Sequence, residues 1–238
     1  MTDAPSMNRP YPQVKICGLT HPHEAAQCLE RGADAIGLVF FSQSPRNVSP
    51  EQARAVVDAL PEKVAAVGVF VNATFSTIMA RVERCGLSMA QLHGREPARL
   101  AARLKAEGVG VIKALFVDGR PGLDDAPEFD VDGYLVECAK GPLPGGNAVA
   151  WDWGAARGFG HRQPLVLAGG LSPDNVADAI RAALPAAIDV SSGVEMMPGR
   201  KDPHKVARLI AAVQSTEDQY AAKTIKAVFR SKGQRPDA

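Results

Sequence analysis

The chain repeats one pattern eight times: a short apolar run, then a longer linking stretch that in most cases has helical spacing. The runs are Val14–Cys17, Ala35–Phe41, Val64–Val71, Met89–His93, Val111–Val117, Tyr134–Cys138, Leu165–Ala168 and Ala187–Val190. They are mostly apolar rather than alternating, as strands covered on both faces must be. Helices are expected at about His23–Arg31, from Ser49-Pro50-Glu51 onward, and at Thr74–Cys85, Glu96–Glu107, Asp152–Arg157, Ser172–Ala183 and Pro203–Val213. Ser49 suits an N-cap and Pro50 the first helical turn. The fifth linker, Arg120–Phe129, is short and broken by proline, so its helix is expected to be degenerate. Eight β-then-α units in 238 residues favour a closed α/β structure, the (β/α)8 TIM barrel of roughly 250 residues, over an open sheet. The organisation expected is a flexible N-terminal arm over 1–13, a single barrel over 14–213 and a C-terminal extension over 214–238.

Composition narrows the partner. With 27 Lys+Arg against 26 Asp+Glu the net charge is +1, which supplies no field to gather nucleic acid or an anionic membrane. A small molecule is the expected ligand, taken up by a monomer or homodimer. No apolar run approaches the roughly 20 residues of a membrane span, and the polar start lacks an apolar signal core, so a cytoplasmic location is expected. Cys17, Cys28, Cys85 and Cys138 form no CxxC pair, and no histidine cluster has metal-ligand spacing. That argues against a disulfide scaffold or a bound metal. Cys28 and Cys85 read as small buried hydrophobes.

In parallel α/β folds ligands bind at the carboxyl ends of the strands, so the residues that close each apolar run are the candidates. Gly169-Gly170 follows the seventh run and Ser191-Ser192-Gly193 the eighth. Those two loops of a barrel frequently bind a phosphoryl group through backbone N–H donors, whereas ordinary turn glycines are the plainer alternative. Cys17 closes the first run, either as a reactive thiol or as a packed small side chain, and Lys15 lies on the same side of that strand. Arg46, after the second run, can grip a carboxylate or simply be solvated. His93 closes the fourth run as a ligand-binding or structural histidine, and Asp189 and Glu195 flank the serine turn, where either can brace the loop.

Six separated motifs resemble the phosphoribosylanthranilate isomerase family. They are Lys15-Ile16-Cys17-Gly18; Gly32–Gly37 with Phe40-Phe41 and Ser44-Pro45-Arg46; Gln91-Leu92-His93-Gly94; Leu167-Ala168-Gly169-Gly170-Leu171; Asp189–Glu195; and Pro198-Gly199-Arg200-Lys201-Asp202. The resemblance implies a cofactor-free Amadori rearrangement of a phosphorylated N-glycosyl amine, with Cys17 as base and Arg46 holding the anthranilate carboxylate. It places His93 and Asp189 against the substrate and Gly169, Gly170, Ser191, Ser192 and Gly193 at its phosphate. At the family's acidic position, an aspartate ending the sixth strand, this chain carries Glu137, with Asp189 and Asp152 as other candidate acids. The following loop, Gly145–Trp153, keeps the glycine pair and the Asp-Trp ending but not the family's Gly-Lys-Thr centre. Two other readings remain: an isomerase of a related phosphorylated aminosugar, against which Arg46 argues, and a silent phosphate-binding barrel, against which Cys17 argues.

Overall fold

The computed structural model describes residues 10–138, 150–220 and 225–232. Eight parallel strands pair in sequence order and close, with β8 hydrogen-bonded to β1. They are β1 (Gln13–Cys17), β2 (Ala35–Phe40), β3 (Ala65–Phe70), β4 (Met89–Leu92), β5 (Gly110–Phe116), β6 (Gly133–Glu137), β7 (Leu165–Leu167) and β8 (Ala187–Val190). The helices around them are α1 (Pro22–Glu30), α2 (Pro50–Asp58), α3 (Phe75–Cys85), α4 (Ala98–Ala106), α5 (Arg157–Gly160), α6 (Val176–Ala183) and α7 (Pro203–Gln214). After β8 a short hairpin, β9 (Glu195–Met197) and β10 (Arg200–Lys201), rises beside the mouth.

Local chemistry sets the helix ends. Ser49 Oγ accepts from Gln52 N at 3.2 Å while Gln52 Oε1 accepts from Ser49 N at 2.8 Å, a reciprocal cap that starts α2 at Pro50. The fifth crossover is a 3₁₀ turn, Leu123–Glu128, interrupted by Pro127. α4 begins two residues later than the spacing predicts, because Glu96 is turned inward and buried against Lys113 at 3.0 Å. α6 begins at Val176 rather than Ser172, because Ser172 and Asn175 close a turn through Ser172 N to Asn175 Oδ1 at 2.8 Å.

Successive strand residues face opposite sides, and the core divides accordingly. Outward residues such as Val14, Ile16, Ile36 and Val136 pack under the helices. Inward ones, including Ala35, Ala65, Val67, Met89, Ile112, Leu135 and Ala187, fill the barrel. The lowest inward layer is rich in alanine and leaves space, and Val228 and Phe229 of the 225–232 segment enter it. Val228 and Phe229 are buried in the interior cluster. Gln13 Oε1, at the start of β1, accepts from Val228 N at 2.7 Å and from Phe229 N at 3.0 Å. Arg230 pairs with Asp132, at the foot of β6. The chain therefore closes the amino end of its own barrel and leaves ligands the carboxyl end. Removing a buried aromatic from a packed core costs about 3 kcal/mol or more. Phe229→Ala should thus lower Tm by roughly 6–12 °C in a thermal melt, given a few degrees per kcal/mol for a domain of this size; an unchanged Tm would show that the plug adds nothing.

Candidate active site

The inward rows that are apolar at the foot of the barrel become polar at its mouth. On β1 the row runs Gln13, Lys15, Cys17, and on β8 it runs Ala187, Asp189. On β4 and just past it the row is Met89, Gln91, His93, and on β6 it is Leu135, Glu137. Lys15 and Asp189 are direct partners across the β1–β8 seam, with Nζ 2.8 Å from Oδ1 and no exposure of the lysine side chain. Burial works against the lysine's charge, but the Asp189 carboxylate and Cys17 outweigh it and raise the Lys15 pKa. Cys17 is buried beside this pair. Burial and Asp189 together push its thiol up, and the opposing pull of Lys15 and Lys201 does not cancel them. Gly37 makes this placement possible, since a Cβ there would stand 2.7 Å from Cys17 Sγ.

Arg46 is buried, contrary to an ordinary solvated loop arginine. Its Nε and Nη2 donate to the two carboxylate oxygens of Glu195 at 2.9 and 2.7 Å. Lys201, also buried, donates from Nζ to Glu195 Oε1 at 2.7 Å and to Ser191 O at 3.2 Å. Glu195 thus braces the mouth by tying the loop after β2 to the β9–β10 hairpin. Burial alone would raise its pKa, yet Arg46 and Lys201 hold it below the ordinary value of 4.5.

On the far side of the mouth His93 lies one residue past β4. Its Nε2 is 2.9 Å from Glu137 Oε1, its Nδ1 is 2.8 Å from Gln91 Nε2, and Phe116 packs edge-on at 5.9 Å. All three polar side chains are buried. Of the other candidate acids, Asp189 is engaged with Lys15, and exposed Asp152 caps a turn by accepting from Gly154 N at 3.1 Å. Of these three candidate acids Glu137 is the one whose partner is an imidazole.

Between β6 and β1 around the rim stand the ends of β7 and β8. Gly169 and Gly170 adopt positive φ, 84° and 68°, and Ser192–Val194 form a 3₁₀ turn directly after Ser191. The two turns touch so closely that a Cβ on Gly193 would sit 1.9 Å from Leu171 O. Ser191 Oγ donates to Cys17 O at 3.0 Å, joining this rim to β1. Trp151 and Trp153 donate from Nε1 to Ala168 O at 2.9 Å and Gly169 O at 3.1 Å, pinning the returning end of the loop after β6. The Gly145–Val149 part of that loop lies outside the described residues. Among the described residues, no group of three or more His, Cys, Asp or Glu could hold a metal ion.

The structure thus brings Cys17, Arg46, His93, Glu137, Asp189 and both glycine turns to one end of the barrel. The sequence alone assigns no role to Gln91 and does not mark Lys201 as buried. The same-face spacing of Gln91 and His93 was the available signal for the first; nothing local marks Lys201 as buried against Glu195.

Architecture and site together place the chain among (β/α)8-barrel enzymes that gather ionisable side chains at the carboxyl ends of the strands. The sequence profile described as N-(5'phosphoribosyl)anthranilate (PRA) isomerase matches residues 14–212. A relative from Desulfatibacillum aliphaticivorans named N-(5'-phosphoribosyl)anthranilate isomerase is 52% identical over 213 residues, covering 90% of this chain and 98% of its own. The crystal structure of phosphoribosyl anthranilate isomerase from Thermotoga maritima superposes with a TM-score of 0.78 at 39% identity, covering 86% of this chain and 99% of that one. A crystal structure of the isomerase in complex with reduced 1-(o-carboxyphenylamino)-1-deoxyribulose 5-phosphate superposes with a TM-score of 0.75 at 38% identity, with the same coverage. The chain belongs to the phosphoribosylanthranilate isomerase family.

The clamp on Glu195 has a pH signature. Its folded pKa lies below the unfolded value, so its ionised form stabilises the fold above about pH 4.5, and that contribution is lost as pH falls through the folded value. Removing the carboxylate also strands two buried cations, at about 3 kcal/mol. Glu195→Gln should melt well below the wild type at pH 7, and the gap in Tm should narrow steadily below pH 4.5; a gap independent of pH would refute the clamp.

Proposed function

We propose that Cys17 is the base and Glu137 the acid of the isomerisation at this barrel mouth. The activity is that of the family: the Amadori rearrangement of N-(5'-phosphoribosyl)anthranilate to 1-(o-carboxyphenylamino)-1-deoxyribulose 5-phosphate, an aldose–ketose isomerisation in tryptophan biosynthesis. The observation that carries the assignment is the order around the rim. Glu137 ends β6, Cys17 ends β1, and the glycine turns after β7 and β8 stand between them. A phosphate seated at Gly169, Gly170, Ser191, Ser192 and Gly193, on backbone N–H groups, sets the ribose between acid and base.

Glu137 gives its proton to the ring oxygen as the bond from that oxygen to C1' breaks, and the amine nitrogen's electron pair completes a C1'=N iminium. Cys17, as thiolate, removes the proton from C2', and the released pair forms C1'=C2' while neutralising the nitrogen. The enolamine becomes the ketone when C1' gains a proton and the C2' hydroxyl loses one. Two positioned proton-transfer groups suffice, and no cofactor enters. Arg46 has Nε and Nη2 on Glu195, and we assign Nη1 to the anthranilate carboxylate. Asp189 keeps Lys15 charged beside Cys17, and His93 holds Glu137 against the substrate.

The phosphorylated substrate cannot cross a membrane unaided, so we place the enzyme in the cytoplasm, as a monomer or homodimer. Loss of general acid or base should lower turnover by roughly 100-fold or more. The measurement is the fluorescence decay of freshly generated phosphoribosylanthranilate with wild type, Cys17→Ser and Glu137→Gln. Both variants should be near-inactive yet folded, and wild-type kcat/KM should climb with pH through the basic range, because the Cys17 thiol is pushed up. Wild-type decay no faster than a blank would establish a silent barrel instead, and full activity in either variant would remove that residue from its role.

A further inference from the structure

We propose that Gln91 is a positioning residue whose amide fixes the tautomer of His93 and thereby directs the acid proton of Glu137 toward the substrate. The proposal rests on the reading of Glu137 as the proton donor.

Donors and acceptors run along one buried line. Gln91 is 1% exposed, on the inward face of β4 between Val69 of β3 and Ile112 of β5. Its Nε2 stands 2.8 Å from His93 Nδ1. As the amide stands its nitrogen faces Nδ1, and an amide nitrogen only donates, so in this arrangement Nδ1 carries no proton. A neutral imidazole then holds its proton on Nε2, and Nε2 donates to Glu137 Oε1 across 2.9 Å. With Oε1 occupied as an acceptor, the proton of the acid form belongs on Oε2. That is the oxygen not held by the imidazole.

The opposite tautomer undoes this. With the proton on Nδ1, His93 Nε2 becomes an acceptor, and Glu137 satisfies it by turning its own proton inward from Oε1. The acid is then hydrogen-bonded to the wall of the barrel instead of to the ring oxygen. The buried pair can adopt either arrangement, and the end of the Gln91 amide that faces Nδ1 separates them. The Gln91 Oε1 atom is buried and has no hydrogen-bond partner among the described residues. A buried orphan oxygen costs about 1–3 kcal/mol, and such atoms in a site call for a reason. Among the described residues the hydrogen bond of this buried amide is the one to His93 Nδ1. After proton transfer the same Nε2–H donates to the Glu137 carboxylate, so one tautomer serves both halves of the cycle.

The test reads the tautomer directly. Nitrogen-15 NMR of the imidazole distinguishes protonated from bare ring nitrogens, and His93 is assigned among the five histidines by the signals lost in His93→Gln. Wild type should show Nε2 protonated and Nδ1 bare. Gln91→Leu, close in volume, should give a mixture of tautomers, and Gln91→Glu, whose carboxylate accepts at Nδ1, should protonate that nitrogen. Turnover should fall in both by roughly 10- to 100-fold, short of full loss of the acid, with KM within about twofold. A wild-type His93 protonated only at Nδ1 would overturn the proposal, as would a pure Nε2–H tautomer or undiminished kcat in folded Gln91→Leu. If that variant does not fold, the wild-type spectrum and Gln91→Glu decide. The acid reading fails separately: a fully active Glu137→Gln would remove Glu137 as donor while leaving the tautomer assignment intact.

Discussion

The closed barrel depends on a seam where the first and last strands meet, and the Lys15–Asp189 ion pair lies in it. The two residues are 174 positions apart yet are register partners, with Nζ and Oδ1 at 2.8 Å and the lysine sealed from water. Neither charge is tolerable alone in that place, since stripping one partner from a buried pair costs several kcal/mol. The register of β1 against β8 is therefore held by charge as well as by backbone hydrogen bonds. A slip of one residue would turn Lys15 and Cys17 into the layer beneath the helices. The pair also governs the chemistry beside it: Asp189 raises the Cys17 thiol while Lys15 opposes it.

The same device recurs around the mouth. Arg46 and Lys201 converge on Glu195, and Lys113 is held by Glu96 at 3.0 Å and by the carbonyls of Leu92 and Gly94 at 3.1 and 2.7 Å. Each cation is buried and each is answered by a carboxylate, so loops that would otherwise move are fastened to the barrel wall. Glu137 is different. Its partner is an imidazole, a group that can donate or accept, rather than a lysine or an arginine. The Glu137 carboxylate rests on His93 Nε2 at 2.9 Å.

At the opposite end the chain's own later residues fill the barrel. Small inward residues such as Ala35, Ala65 and Ala187 leave a space that Val228 and Phe229 occupy. The extra segment after α7 thus completes the core and leaves the mouth to function.

The strands and their order were legible because apolar runs of four to eight residues can only be covered on both faces, and eight of them with crossovers close a barrel. Pro121 and Pro127 marked the missing fifth helix just as plainly, and Ser49-Pro50 marked the start of α2. The candidate site was legible as a set of strand ends: Cys17, His93, Glu137, Gly169-Gly170 and Ser191-Ser192-Gly193 each lie at the end of an apolar run or directly after it. What could not be read was which of them touch. The contact between His93 and Glu137 spans 44 residues, the clamp of Glu195 on Arg46 spans 149, and the seat of Phe229 on Gln13 spans 216. Strand periodicity is a local property, so the amino-acid order by itself determines which side chains face inward and at what height along their own strand. Pairings around the barrel depend on closure and register, which exist only once distant strands have met; the tertiary structure alone decided that Lys15 would sit on an aspartate, Arg46 on a glutamate and Glu137 on a histidine.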